Sequence, residues 1–92
     1  MAITLVLPTI LADVAGGRTE FALTGVSSVR AALDDLAETY PILGRRLRDE
    51  RGQLRRYVNV YVDGDDVRRR EGLDTAVSEG QEILVIQSVA GG

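Results

Sequence analysis

The feature that most constrains the fold is the alternation over residues 57–62, which read Tyr-Val-Asn-Val-Tyr-Val. Strict alternation places Val58, Val60 and Val62 on one face of a β-strand, with the polar and aromatic residues on the other. The Asp63-Gly64 pair that follows is a strong signal for a tight turn. We therefore expect a strand with one buried face, followed by a short returning strand over residues 65–68.

Three further strands are predicted from apolar runs. Residues 3–7 form a β-branched and apolar run that Pro8 ends, because proline cannot donate to a central ladder. Residues 19–23 alternate, which predicts a hairpin with a long connection to the first strand. The last strand is predicted over Glu82–Gln87.

One apolar stripe at helical spacing predicts the main helix, and its members are Val29, Leu33, Leu36 and Tyr40. Ser27 or Ser28 can cap the first turn, and Pro41 ends the helix. Residues 41–56 are less regular and could form a short second helix before Gly52. Residues 73–77 are predicted to form one helical turn that plugs the core.

These elements predict an α+β domain in which a helix lies across one face of a small mixed sheet. The predicted core is aliphatic, because aromatic residues make up only 4% of the chain. Its members are Ile3, Leu5, Leu7, Phe21, Leu23, Val29, Leu33, Leu36, Val58, Val60, Val62, Ile83 and Val85.

The residue types that are missing exclude several kinds of site. The chain has no Cys and no His, so it has no thiol nucleophile, thiolate metal site, disulfide or imidazole base. We therefore expect no catalytic residue, no metal ligand and no bound cofactor. No apolar run approaches the roughly 20 residues of a membrane span, and the N-terminus lacks a basic leader. We expect a cytoplasmic protein that does not bind a membrane.

Charge is unevenly distributed along the chain. Residues 45–56 contain six Arg and two acids, a local charge of +4, whereas the rest carries five Arg and twelve acids, or −7. The basic segment contains no aromatic residue, so we expect a solvated connector and no nucleic-acid binding. Residues 68–70, all Arg, are interpreted as a solvated turn, with contact to an acidic partner as the alternative. The absence of Lys reflects either codon bias or avoidance of self-acylation.

The end of the sequence carries the chemistry. Residues 88–92 read Ser-Val-Ala-Gly-Gly, and we divide the chain into a domain over residues 1–87 and a tail over residues 88–92. Glycine lacks Cβ, so Gly91 and Gly92 can pass through a narrow active-site channel. Five extended residues reach roughly 16–18 Å, which brings a terminal carboxylate into a partner's interior. Joined to AMP, that carboxylate becomes reactive toward sulfide, a thiol or an amine.

The element order and the terminal glycines resemble the ubiquitin-like β-grasp sulfur carriers of the MoaD/ThiS family. The resemblance implies a mixed sheet of four to five strands packed on one main helix. Within the family, the chain is most similar to the carrier of actinobacterial cysteine biosynthesis. It departs from its relatives at Gln87-Ser88, where they often have proline, and in its basic segment. The resemblance is carried by residues 8–11, Gly16-Gly17, residues 57–62, residues 65–68 and residues 89–92.

The resemblance also implies a function and partners. An activating enzyme would use ATP to adenylate the Gly92 carboxylate and convert it to a thiocarboxylate, while Val89, Ala90 and Gly91 thread the tail into the partner. The acceptor would be a pyridoxal-phosphate cysteine synthase, a thiazole-synthase-like enzyme that makes a thiosugar or another sulfur metabolite, or a molybdopterin synthase large subunit. The alternatives are a molybdopterin-synthase small subunit and a protein modifier. The chain would be a co-substrate rather than an enzyme, and a monomer when free.

A docking surface is predicted beside the tail. If residues 83 and 85 face the core, Leu84 and Ile86 point outward, beside Tyr57 and Tyr61. This leaves an apolar patch suited to partner docking. The alternative, which the sequence leaves open, is that residues 41–56 cover this face.

Overall fold

The computed structural model describes residues 2–88 of the chain. Within them, the two α-helices are α1 (Val29–Thr39) and α2 (Pro41–Leu47). Short 3₁₀ helices lie at Thr9–Val14, Val67–Arg69 and Gly72–Asp74. The strands are β1 (Ile3–Val6), β2 (Glu20–Leu23), β3 (Val58–Val62), β4 (Asp65–Asp66) and β5 (Glu82–Gln87).

The strands form one mixed sheet in the order β2-β1-β5-β3-β4. The β1–β2 hairpin is antiparallel, β5 runs parallel to β1, and β3 pairs antiparallel with both β5 and β4. The last strand therefore occupies the centre of the sheet, with a neighbour on each side. This is the α+β, β-grasp arrangement that the resemblance implies, with five strands and a main helix.

The main helix begins and ends where the sequence predicts. Ser28 is its N-cap, and the Ser28 hydroxyl accepts the backbone N–H of Ala31 at 3.1 Å. The helix ends at Thr39, just before Pro41 begins α2 as its first residue, a position where the missing N–H of proline costs nothing. The second helix that the sequence left open is thus present.

The two helices pack closely through Gly44. A Cβ built at this position would lie 2.7 Å from the Cβ of Ala37 on α1, which is inside van der Waals contact. Leu43 and Leu47 of α2 are buried in the core. Helix α2 therefore belongs to the same packed layer as α1.

Every residue predicted for the core is buried. Leu5, Val60 and Ile83, from three neighbouring strands, are fully buried, as is Val29 of α1. Apolar burial of this kind stabilises a small domain by roughly 25 cal/mol per Å². The structure adds seven apolar residues to the predicted set, which are Leu11, Ala15, Ala32, Leu43, Leu47, Val67 and Val77.

Two predicted elements are corrected. The strand predicted over residues 65–68 is wrong beyond Asp66, because Val67 turns into the core and starts a 3₁₀ helix. Asp66 caps that helix by accepting the Arg68 backbone N–H at 2.9 Å. The helical turn predicted over residues 73–77 lies instead at Gly72–Asp74. The tight turn before β4 is confirmed, with φ of 48° at Asp63 and 87° at Gly64, as a type I′ hairpin turn requires.

Candidate functional site

Four of the predicted site residues, Val89, Ala90, Gly91 and Gly92, lie outside the described residues. The structure does describe the root of the tail, which we define as the end of β5 and Ser88. Gln87 pairs with Val58 of β3. Ser88 extends the ladder by one bond, since its N–H donates to the Tyr57 carbonyl at 2.8 Å. The backbone is therefore held in register on the central strand up to Ser88.

A hydrogen-bonded chain of side chains supports this root. The Arg68 guanidinium donates to the Val58 carbonyl and to Asn59 Oδ1, each at 2.8 Å. Asn59 Nδ2 in turn donates to Ser88 Oγ at 3.4 Å. Residues 68–70 are exposed, as the solvated-turn interpretation predicts, but the Arg68 guanidinium also makes these hydrogen bonds. The guanidinium ties the 3₁₀ helix after β4 to the strand beside the tail.

The predicted docking residues Tyr61, Leu84 and Ile86 lie on the sheet face opposite the helices. Tyr57 precedes β3 at the edge of this face, where it also borders α2. In the strand register Leu84 stands beside Tyr61 on β3 and Val6 on β1, which makes an apolar row across three strands. Leu84 and Tyr61 are half-buried. Ile86 and Tyr57 are each 40% exposed. We call these five residues the outer-face patch.

Val6 is the member of this patch that sequence reasoning missed. The alternation of residues 3–7 indicates that Val6 faces away from Ile3 and Leu5, and this signal was available. The sequence could not show that Val6 lies beside Leu84, because this contact depends on the parallel pairing of β1 with β5. That pairing joins residues from opposite ends of the chain.

The alternative was that residues 41–56 cover this face. Helix α2, which forms part of this segment, does not lie on it. This helix packs against α1 and the 3₁₀ helix Thr9–Val14, on the core side of the sheet. Of its residues, Ile42, Arg45 and Arg46 border a groove that Tyr57 also lines. Helix α2 thus flanks the tail root and leaves Ile86 exposed.

One carboxyl group in the basic segment has a shifted pKa. Asp49 Oδ1 accepts the backbone N–H of Gln53 at 3.0 Å and that of Arg51 at 2.9 Å. The bond from Gln53 is the main cause that lowers the pKa of Asp49, and the positive charges of Arg51 and Arg55 act in the same direction. The ionised carboxylate therefore organises the loop after α2.

Neither a cluster of metal-ligating side chains nor a membrane-spanning helix is found among residues 2–88. Among residues 2–88, no three His, Cys, Asp or Glu side chains come together as a possible metal site. None of the helices in this range is long and apolar enough to cross a membrane. The side chains around the tail root, Tyr57, Asn59 and Arg68, position the backbone by hydrogen bonds and packing.

The family model that matches this chain is that of the ThiS family, over residues 5–92. The chain belongs to the ThiS family. Its relatives include the sulfur carrier protein CysO of Mycobacterium tuberculosis, which is 37% identical over 94 residues covering all of both chains. The crystal structure of that CysO matches with a TM-score of 0.85 at 35% identity, over 95% of this chain and 99% of the other.

Two further relatives of this ThiS-family chain bear on its function. The Amycolatopsis orientalis BexX/CysO complex includes a chain that matches with a TM-score of 0.83 at 34% identity, over 99% of this chain and 100% of that one. Small archaeal modifier protein 1 of Haloferax volcanii is 34% identical over 83 residues, 89% of this chain and 91% of that protein. The first is a CysO in complex with BexX, and the second is named as a modifier protein.

Proposed function

We propose that this chain is a sulfur carrier. An ATP-dependent activating enzyme adenylates the carboxylate of Gly92, the adenylate is converted to a thiocarboxylate, and a biosynthetic enzyme accepts the sulfur. The observation that carries the proposal is membership of the ThiS family with similarity to CysO over the whole of both chains. The chain would serve as a co-substrate, and ATP would be bound by the activating enzyme.

The chemistry needs little from the carrier's own side chains. The carboxylate oxygen attacks the α-phosphorus of ATP and pyrophosphate leaves, which gives an acyl adenylate. Sulfide, or a persulfide followed by reduction by a thiol, attacks the acyl carbon and AMP leaves with the electron pair. One carboxylate oxygen departs on AMP and one sulfur replaces it. A chain without Cys or His has no side chain that competes as a thiol or an imidazole nucleophile.

The position of the tail root supports delivery into a partner. Because β5 lies between β1 and β3, a pull on the tail is resisted by two ladders of hydrogen bonds. The four residues after Ser88 reach roughly 13–14 Å when extended. The folded body can therefore stay outside the partner while the terminal carboxylate reaches its active site.

The outer-face patch is the surface proposed to dock on that partner. It combines two aromatic side chains, Tyr57 and Tyr61, with Leu84 and Ile86 beside the tail root. Aromatic and aliphatic anchors of this kind dominate the energy of many interfaces. Docking here would hold the body while Val89, Ala90 and Gly91 thread into the active site.

Intact-mass spectrometry tests the proposal. We would incubate the chain with ATP, sulfide and an enzyme that activates ThiS-family carriers. Mycobacterium tuberculosis CysO would serve as a positive control. The mass is expected to rise by the difference between sulfur and oxygen, and to stay unchanged when ATP is omitted or Gly92 is deleted. An unchanged mass under conditions that load CysO would contradict the proposal.

The sulfur acceptor is proposed by class. Similarity to CysO favours a pyridoxal-phosphate enzyme that makes cysteine, and the BexX/CysO complex supports a dedicated partner protein. A thiazole-synthase-like enzyme that makes a thiosugar or another sulfur metabolite, and a molybdopterin synthase large subunit, remain the other classes. Incubating the thiocarboxylate with each enzyme and its substrate, and following loss of sulfur from the carrier by mass, separates them.

A second candidate function is protein modification by amide bonds. It is favoured by 34% identity to small archaeal modifier protein 1 over 83 residues. The same activated carboxylate would then be attacked by a lysine amine of a target protein. Epitope-tagged chain in cell extract should then form higher-mass conjugates that disappear when Gly92 is deleted. If only unconjugated chain is found while sulfur loading proceeds, the carrier role stands alone.

A further inference from the structure

We propose that a groove beside the tail root holds an acidic, extended segment of the enzyme that takes up the tail. We call it the arginine groove, and the residues that carry the argument are Arg45, Arg46, Arg55, Tyr57 and Gln87. The inference rests on the proposed function, since it assigns the groove's occupant to the partner enzyme. Its chemistry, recognition of carboxylates by several guanidinium groups, can be tested without that enzyme.

The arginines of the groove are gathered by the fold. Arg45 and Arg46 lie in the last turn of α2, where positive charge complements the helix dipole. Arg55 lies just before β3, and its Nε donates to the Arg45 carbonyl at 2.6 Å, which fixes its guanidinium beside the helix end. Arg56 stands 5.8 Å from the ring of Tyr57. Four cations thus surround one end of the sheet.

Two of these cations, Arg45 and Arg46, form no ion pair within the described part of the chain. Arg30, Arg48 and Arg70 each form an ion pair. Within residues 2–88, neither Arg45 nor Arg46 does, and no acidic residue lines the groove. Guanidinium groups held close together repel one another, and bound carboxylates would relieve that repulsion. Arginine forks also bind carboxylates in a bidentate way.

A peptide fits this groove better than phosphate or nucleic acid. Gln87 lines the groove, and its side-chain amide can both donate and accept hydrogen bonds. An extended peptide brings backbone N–H donors as well as carboxylates, whereas a phosphate ion brings acceptors. Ile42, which is 51% exposed at the groove, adds apolar contact. The charge of −7 over the rest of the chain opposes binding to a long polyanion.

The groove lies beside the start of the tail, so a partner that binds the tail would also contact the groove. Tyr57 lines the groove and also accepts the Ser88 N–H, so the groove borders the point where the tail leaves the body. With a tail reach of roughly 13–14 Å, the acidic segment would lie at the rim of the channel that receives the tail. A basic patch on an otherwise acidic body would also orient the carrier with its tail toward the partner during encounter.

The direct test uses an oligoglutamate peptide and heteronuclear NMR. We expect oligoglutamate to shift the amide signals of Arg45, Arg46 and Gln87 and the Arg55 Nε–H signal, with an effect that weakens as salt is raised. Oligoglutamine of the same length should not shift them. The proposal is overturned if oligoglutamate leaves these signals unchanged, or if phosphate or oligothymidylate shifts them at equal concentration.

Paired variants locate the effect. R45E/R46E should abolish the oligoglutamate shifts, whereas R45K/R46K should retain most of them. The control is R30E/R70E, which changes the net charge equally at two arginines that do not line the groove. Equal loss of binding in the control would mean that net charge, not the groove, controls binding, and would overturn the proposal. Circular dichroism confirms that each variant folds.

Enzyme kinetics then separate this proposal from the proposed function. In sulfur loading, R45E/R46E should raise the KM for the carrier about tenfold while kcat stays near wild type, because docking precedes chemistry. An unchanged KM with the activating enzyme and with the acceptor overturns the assignment to the partner. If the wild-type chain is never loaded but still binds oligoglutamate, the proposed function fails and the acid-binding groove stands.

Discussion

The two faces of the sheet are built from the same strands and behave differently. On the face toward the helices, Val58, Val60 and Ile83 are at most 2% exposed. On the other face Ile86 and, at its edge, Tyr57 keep 40% of their surface exposed. The strand alternation that fills the core thus also places apolar side chains where a partner can reach them. Stability is concentrated on the packed face, and we expect recognition to be concentrated on the outer face.

The largest effect is expected when a buried side chain of the packed face is removed. Leu33 of α1 is 1% exposed, so Leu33→Ala should leave a cavity against the sheet and lower the free energy of unfolding by about 2–5 kcal/mol. Urea denaturation followed by circular dichroism measures it. A loss below about 1 kcal/mol would show that the helix layer is not packed as described.

The next prediction concerns the contact between α1 and α2. Gly44→Ala puts a methyl group 2.7 Å from the Cβ of Ala37, and this overpacking should cost about 1–3 kcal/mol. The double variant A37G/G44A removes the clash and should recover part of that loss, apart from the glycine penalty in α1. Additive losses in the double-mutant cycle would mean that the helices do not meet at this point.

A smaller effect is expected at the tail root. Arg68→Leu removes the donors to Val58 and Asn59 and should lower stability by about 1–2 kcal/mol. Hydrogen exchange at the Ser88 amide should also become faster, because the strand beside it loses its support. Arg69→Leu is the control, since the Arg69 side chain is also exposed but donates neither of these bonds, and its loss should change stability by about 0.5 kcal/mol or less. Equal exchange in both variants would contradict the support role.

A substitution on the outer face should change the free energy of unfolding little and weaken partner docking. Ile86→Ser removes an apolar side chain that is 40% exposed, so we expect the free energy of unfolding to change by less than about 1 kcal/mol. Sulfur loading by an activating enzyme should nevertheless slow through a higher KM. Loading at the wild-type rate would remove Ile86 from the docking surface.

The loop after α2 belongs to neither face and should matter least for stability. The fold lowers the pKa of Asp49 through the Gln53 N–H, so its ionised form stabilises the folded state above the unfolded carboxyl pKa. That contribution is lost as pH falls through the lowered pKa. Asp49→Asn should therefore lower the melting temperature slightly at neutral pH, with a difference that closes in acid. A difference that persists at low pH would contradict this cause.

Much of the fold could be predicted from local pattern. The alternation of residues 57–62 predicts β3 and its buried valines, and the stripe from Val29 predicts α1 with its Ser28 cap. The 3₁₀ helix Thr9–Val14 was missed, although it buries Leu11. The 3₁₀ helix Val67–Arg69 has only three residues, which is too short to show a periodicity, and so Val67 was assigned to a strand.

Local sequence pattern was enough to predict the types of the main elements and the aliphatic core. These follow from the polarity and backbone preferences of neighbouring residues. Tertiary contacts alone place Val6 beside Leu84, Arg68 against the tail root, and Arg45, Arg46 and Arg55 at its edge. Such contacts join residues far apart in the chain, and strand order and helix packing determine them.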